Sequence, residues 1–166
     1  FTYRSGTGKL LHLMKWSRPE ISNAVRELSR WMTGAGISHL KAMYRVFNYC
    51  LNTSERGKVL KPRRTCPHGE ISNFEFEIHG YSDSDYAKDP IKRRSVSGYS
   101  SFLEGCPVNT KSRMQPITSL SVTEAELIAA TECAQDLVFI KNVLESIGLK
   151  VRIPMNLNID NSGCID

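Results

Sequence analysis

Three acidic residues stand where local patterns fix the direction of their side chains, and together they could hold a hard metal ion. Tyr81-Ser82-Asp83-Ser84-Asp85-Tyr86 ends an alternating run, Phe74-Glu75-Phe76-Glu77-Ile78-His79. Phe74, Phe76 and Ile78 fall on one face of a strand, and Glu75, Glu77, His79, Tyr81, Asp83 and Asp85 on the other. Aspartates at that spacing repel unless a cation or solvent lies between them. Ser121-Val122-Thr123-Glu124-Ala125-Glu126-Leu127 opens a long helix pattern. Met155-Asn156-Leu157-Asn158-Ile159-Asp160-Asn161 is a second alternating strand, with Asp160 closing its polar face. Two strands thus end on a carboxylate and a helix start supplies a third, so Asp83, Glu126 and Asp160 are expected to converge. Such oxygen ligands suit Mg²⁺ or Mn²⁺ rather than zinc. Two such ions about 4 Å apart activate water and stabilise the leaving oxygen in phosphodiester hydrolysis. The spacing is not an EF-hand: Ala87 stands where an oxygen ligand is needed, and Arg94 where the closing Glu belongs.

The elements that must position these residues are legible on both sides. Residues 6–16 read as a short helix or turn. Ser17-Arg18-Pro19-Glu20 has the form of a helix start, and Ile21, Ala24, Val25, Leu28, Trp31 and Met32 follow at helical spacing until Gly34 and Gly36. Ser38 is placed to cap a second helix carrying Leu40, Met43, Val46, Phe47, Cys50 and Leu51. Lys58 to Leu60 read as a short strand. Residues 61–73 have no periodicity and two prolines, and read as a linker between residues 1–60 and a domain over 74–166. In that domain Ser95 to Leu103 is a strand, Glu104-Gly105 a turn, and Pro107 to Ser112 a returning strand, an antiparallel meander. Ser121 caps the long helix with Glu124 as its box partner, which leaves Glu126 free. Gly148 ends that helix. A helix crossing from the first to the fourth strand makes those two parallel neighbours. The fold class expected is α/β (α+β): a mixed sheet of three antiparallel strands plus a parallel fourth, with one long helix.

The 166 residues carry a net charge of +5, unevenly placed. Residues 1–70 hold 13 Lys/Arg against 4 Asp/Glu, and residues 71–166 hold 9 against 13. A basic segment joined to one with clustered carboxylates suits a polyanion partner and a metal site. Five scattered cysteines, Cys50, Cys66, Cys106, Cys133 and Cys164, show no paired metal spacing, and reduced thiols are expected. No apolar run is long enough to span a bilayer, and no signal segment opens the chain. The first residue is Phe1, so the chain is expected to be processed, excised or incomplete.

Four stretches together carry a resemblance. Tyr81-Ser82-Asp83-Ser84-Asp85-Tyr86-Ala87, Arg93-Arg94-Ser95-Val96-Ser97-Gly98-Tyr99, Leu120-Ser121-Val122-Thr123-Glu124-Ala125-Glu126 and Ile159-Asp160-Asn161 follow in the order seen in copia-type retrotransposon Pol polyproteins. They resemble the ribonuclease H domain behind the reverse transcriptase. Tyr3-Arg4-Ser5, Gly8-Lys9-Leu10-Leu11 and Ser17-Arg18-Pro19-Glu20-Ile21 are similar to the tail of that reverse transcriptase, around its thumb and connection. The resemblance implies a ribonuclease H-like sheet and cleavage of the RNA strand of an RNA–DNA hybrid, leaving a 3′-hydroxyl and a 5′-phosphate. It implies two Mg²⁺ (or Mn²⁺) ions, with Asp83 bridging both and Glu126 and Asp160 completing the ligand sets or orienting water. Lys88, Lys92, Arg93 and Arg94 would meet the phosphate backbone, whereas Asp85 has no ligand role. The implied partners are the hybrid and the upstream reverse transcriptase domains of the same polyprotein, in an intracellular, cytoplasmic virus-like particle and with no membrane.

Such sites carry a fourth carboxylate on a later segment, which in this chain would lie beyond Asp166. The expectation is therefore a fragment truncated within its last domain, weak or inactive as a nuclease by itself. Two other readings stand beside it. One is a non-catalytic remnant of a decayed retroelement that binds nucleic acid through residues 1–70. The other is a related three-carboxylate nuclease such as an integrase, which the order Asp, helix Glu, strand Asp fits less well.

Overall fold

Apolar residues at helical spacing fold the N-terminal segment into α1 (Tyr3–Trp16), α2 (Ser22–Ser29) and α3 (Ile37–Asn52) in the computed structural model, which describes residues 2–161. The chain divides into two units, Phe1–Lys58 and Val59–Asp166. Leu10, Ile21, Val25, Leu28 and Met43 form the core of the first.

Three local expectations give way there to tertiary contacts. The helix expected to begin at Ser17 is broken: Pro19–Ile21 form one 3₁₀ turn, and α2 ends before Trp31 and Met32. Arg18 makes the break. Its side chain is buried, and its guanidinium donates to the carbonyls of Cys50 and Thr53, to Thr53 Oγ1 and to Glu20. Ser17 Oγ meanwhile donates back to the Leu13 carbonyl instead of capping forward. The cap of α3 is Gly36 and not Ser38: His39 Nδ1 accepts from the Gly36 amide at 3.0 Å, with its ring stacked on Trp31. Residues 58–60 are not a strand; the Lys58 amide donates instead to the Ser17 carbonyl at 3.1 Å.

In the second unit β2 (Ile78–Asp85), β3 (Val96–Leu103), β4 (Cys106–Met114) and β6 (Asn156–Ile159) form one sheet in the order β4-β3-β2-β6. β2–β3 and β3–β4 are antiparallel, and β2–β6 is parallel. The meander turn falls at Glu104 and Gly105, both with positive φ. α4 (Val122–Ser146) crosses between β4 and β6 and packs on the sheet through Cys133, Leu137 and Ile140, against Ile78 and Tyr99. Gly148, at φ +81°, supplies the left-handed residue that stops this helix. Ser121 Oγ accepts from the Glu124 amide as expected, but the Glu124 carboxylate reaches the amide of Leu120 rather than that of Ser121.

The alternating run from Phe74 does not make one continuous strand. Glu75–Phe76 is a separate strand, β1, paired in parallel with β5 (Lys150–Val151), an element absent from the sequence reading. Glu104 causes the offset. It is buried, pairs with Arg64, and accepts from the Glu77 amide at 2.7 Å. His79, on the face away from Ile78, is not solvated: it is 6% exposed and stacks on Phe102, its cross-strand partner on β3. No helix among the described residues is long and apolar enough to cross a membrane.

Candidate metal centre

The sheet register brings two of the acidic residues side by side. Ser82 pairs with Ile159 across β2 and β6, so the next residue on each parallel strand, Asp83 and Asp160, emerges at the same end. Glu126 lies in the first turns of α4, five residues past the N-cap Ser121. One carboxylate oxygen from each of Asp83, Glu126 and Asp160 lies within 4.8 Å of the others. Asp83 and Asp160 are exposed, and Glu126 is 4% exposed.

The two Glu126 oxygens differ. Oε1 accepts from the Ser84 hydroxyl at 2.9 Å and from the Ser84 amide at 3.2 Å. Oε2 is buried and accepts no hydrogen bond. Burial pushes the Glu126 carboxyl above its ordinary range; the two Ser84 bonds pull it down, and Asp83 and Asp160 push it up again. A buried acceptor without a donor costs about 1–3 kcal/mol, and three carboxylates this close repel. A divalent cation relieves both penalties, and three hard oxygens fit Mg²⁺ or Mn²⁺. The donor set thus fits the ion expected from the sequence.

The other expected residues separate into groups. Asp85 stays outside the cluster, with its carboxylate 3.7 Å from Lys88 Nζ in an exposed pair. Lys88, Lys92 and Arg93 are exposed and Arg94 is half-buried, in the loop that leaves the strand carrying Asp83. That loop is held from within by Asp89, which the sequence reading left without a role. Asp89 is 4% exposed. Its amide donates to the Arg94 carbonyl, and its own carbonyl and carboxylate accept from the amides of Arg93 and Lys92. Tyr86 Oη donates to the Leu120 carbonyl, tying the loop to the start of α4. Gln115, fully buried, donates to Ser97 Oγ and to the Ala125 carbonyl, clamping the first turn of α4 to β3 beside Glu126. Ser84 was also passed over. Alternation would have found it, because it shares the helix-facing side of β2 with Ile78, Gly80 and Ser82. Of the cysteines, Cys50, Cys66, Cys106 and Cys133 are free thiols, and Cys164 lies outside the described residues.

No protein-family model matches the chain, and no solved structure matches it. Curated proteins do. The retrovirus-related Pol polyprotein from transposon TNT 1-94 of Nicotiana tabacum is 33% identical over 147 residues, 89% of this chain. That from transposon RE1 of Arabidopsis thaliana is 31% identical over 161 residues, 97% of the chain. Secreted RxLR effector protein 161 of Plasmopara viticola is 33% identical over 138 residues, 83% of this chain and 90% of that protein. The chain belongs to the family of retrovirus-related transposon Pol polyproteins. This Pol segment spans 10% of the length of each of the two polyproteins, and it matches them across both of its units.

Proposed function

We propose that this Pol segment joins the tail of a reverse transcriptase to a ribonuclease H-like domain, and that the domain hydrolyses the RNA strand of RNA–DNA hybrids with Mg²⁺ or Mn²⁺. The observation that carries the reading is the meeting of Asp83, Glu126 and Asp160, with a buried oxygen of Glu126 left without a donor. The antiparallel meander, parallel fourth strand and crossing helix support a ribonuclease H-like fold.

Asp83, Glu126 and Asp160 would hold the divalent ions through their carboxylate oxygens. A divalent ion at such a site supplies Lewis-acid chemistry, neutralising phosphate charge and acidifying an attacking water. The remaining work falls to the chain. β2 and β6 fix the two aspartates on adjacent strand ends, so little reorganisation is needed to receive a cation. Lys88, Lys92, Arg93 and Arg94 bind the hybrid backbone beside the site, a contact that weakens steeply with salt. The domain works with the upstream reverse transcriptase of the same polyprotein, inside the cell in a cytoplasmic particle.

The test is cleavage of an end-labelled RNA–DNA hybrid over a Mg²⁺ titration. The expected result is slow cleavage of the RNA strand alone, abolished by EDTA and by Asp83→Asn. A second reading, a non-catalytic nucleic-acid-binding module, is favoured by one observation: the segment covers 90% of the Plasmopara viticola effector, so both units occur together in a protein of about this extent. Hybrid binding that survives in Asp83→Asn, with no cleavage by the unmodified chain at any Mg²⁺ concentration, would decide for that module.

A further inference from the structure

Resting on the metal-centre reading above, we propose that Ser84 is a positioning residue that decides which oxygen of Glu126 meets the ion. A glutamate carboxylate on an otherwise apolar helix face can rotate, and its two oxygens are then equivalent. Here they are not. The Ser84 hydroxyl and amide both donate to Oε1, at 2.9 and 3.2 Å. Oε2 is left buried and without a donor, in a carboxylate whose neighbours are Asp83 and Asp160. Ser84 itself has little freedom to drift. It pairs with Ser97 across β2 and β3, and Ser97 in turn is held by the Gln115 amide. The same Gln115 amide holds the Ala125 carbonyl, one residue before Glu126. Strand and helix start are therefore locked in register, and the Ser84 hydroxyl sets the final torsion of the carboxylate. Partners behind a ligand commonly change metal affinity by 10–100-fold when removed. The strand amide cannot be deleted by a side-chain change, so the loss of the hydroxyl should fall at the lower end of that range.

The experiment is calorimetric titration of Mn²⁺ into the 166-residue chain and three variants, with thermal melts in EDTA to confirm folding. Ser84→Ala is expected to bind Mn²⁺ about tenfold more weakly, and Ser84→Thr, which keeps the hydroxyl, to recover most of that loss. Ser82→Ala makes the same truncation two residues earlier, where the hydroxyl is buried without a partner, and is expected to bind as the parent does. A purely structural serine would shift the melts and leave affinity unchanged. Ser84→Ala binding as tightly as the parent, or Ser84→Thr binding as weakly as Ser84→Ala, overturns the role of Ser84 and leaves the metal centre standing. A parent chain that takes up no Mn²⁺ overturns the metal centre and the role of Ser84 together.

Discussion

Gly80 is where the fold should be most sensitive to a single methyl group. It lies in β2, the strand flanked on both sides, paired with Ser101 on β3 and Leu157 on β6. A Cβ there would stand 2.5 Å from Cys133 Sγ and 3.3 Å from Leu137 Cδ2. Cys133 is fully buried and Leu137 nearly so, so neither side chain has an open direction. Ordinary contact needs about 3.5–4.0 Å, so α4 must lift by roughly 1 Å. Overpacking of this kind costs about 1–3 kcal/mol. Lower backbone entropy of alanine in the unfolded chain offsets about 0.4–1 kcal/mol. Gly80→Ala should therefore destabilise the second unit by about 1–2 kcal/mol. Cys133→Ala alone should cost about 1 kcal/mol through the small void it leaves. In the double variant the new methyl group enters that void, and the pair should cost about 1–2 kcal/mol less than the sum. Urea titrations read at the slowest-exchanging amides of β2 and α4 measure all three. Additive losses, or a Gly80→Ala chain within about 0.5 kcal/mol of the parent, would refute the claim that this contact sets the spacing between strand and helix. The same lift would draw Glu126 away from Asp83.

Glu126→Gln should act in opposite directions on stability and on metal binding. The carboxyl of Glu126 is raised by burial, so ionising it costs more in the folded chain than in the unfolded one, and its contribution is lost as pH rises through the folded value. In EDTA at pH 7 the amide variant should be about 1 kcal/mol more stable than the parent, with the gap closing towards pH 4. Saturating Mg²⁺ should raise the melting temperature of the parent and not of the variant; a less stable variant in EDTA would count against the buried, unpaired oxygen. His79 is held below the ordinary histidine range, first by burial and then by Arg63. The unfolded chain therefore binds its proton first, and stability should fall as pH drops below about 6.5. His79→Phe keeps the stacking on Phe102 and should flatten that part of the pH–stability curve, measured by melts from pH 7.5 to 5; an unchanged slope would assign it to other groups.

Local patterns were enough to read most of the second unit. Alternation marked β2, β3 and β6, the Glu104-Gly105 turn joined the meander, and Ser121 with Gly148 bounded α4, because these signals act between residues close in the chain. A helix crossing between two strands also pointed to the parallel pairing of β2 and β6. The same local signals failed wherever a distant side chain outbid them. Arg18 broke a helix whose start signal was complete in the sequence, since burying a guanidinium demands acceptors, and those lay on Cys50 and Thr53. Glu104 divided the run from Phe74 into β1 and β2, and Phe102 on the neighbouring strand covered His79.

Residue type and spacing were sufficient to expect that Asp83, Glu126 and Asp160 converge, and the structure brings them together. The pairing of Ser82 with Ile159, the two bonds from Ser84 that make the oxygens of Glu126 unequal, and the Gln115 clamp were decided only by tertiary structure. Periodicity fixes which way a side chain points along its own element, but the distance between two elements is set by what packs between them. Here that is a glycine facing a cysteine.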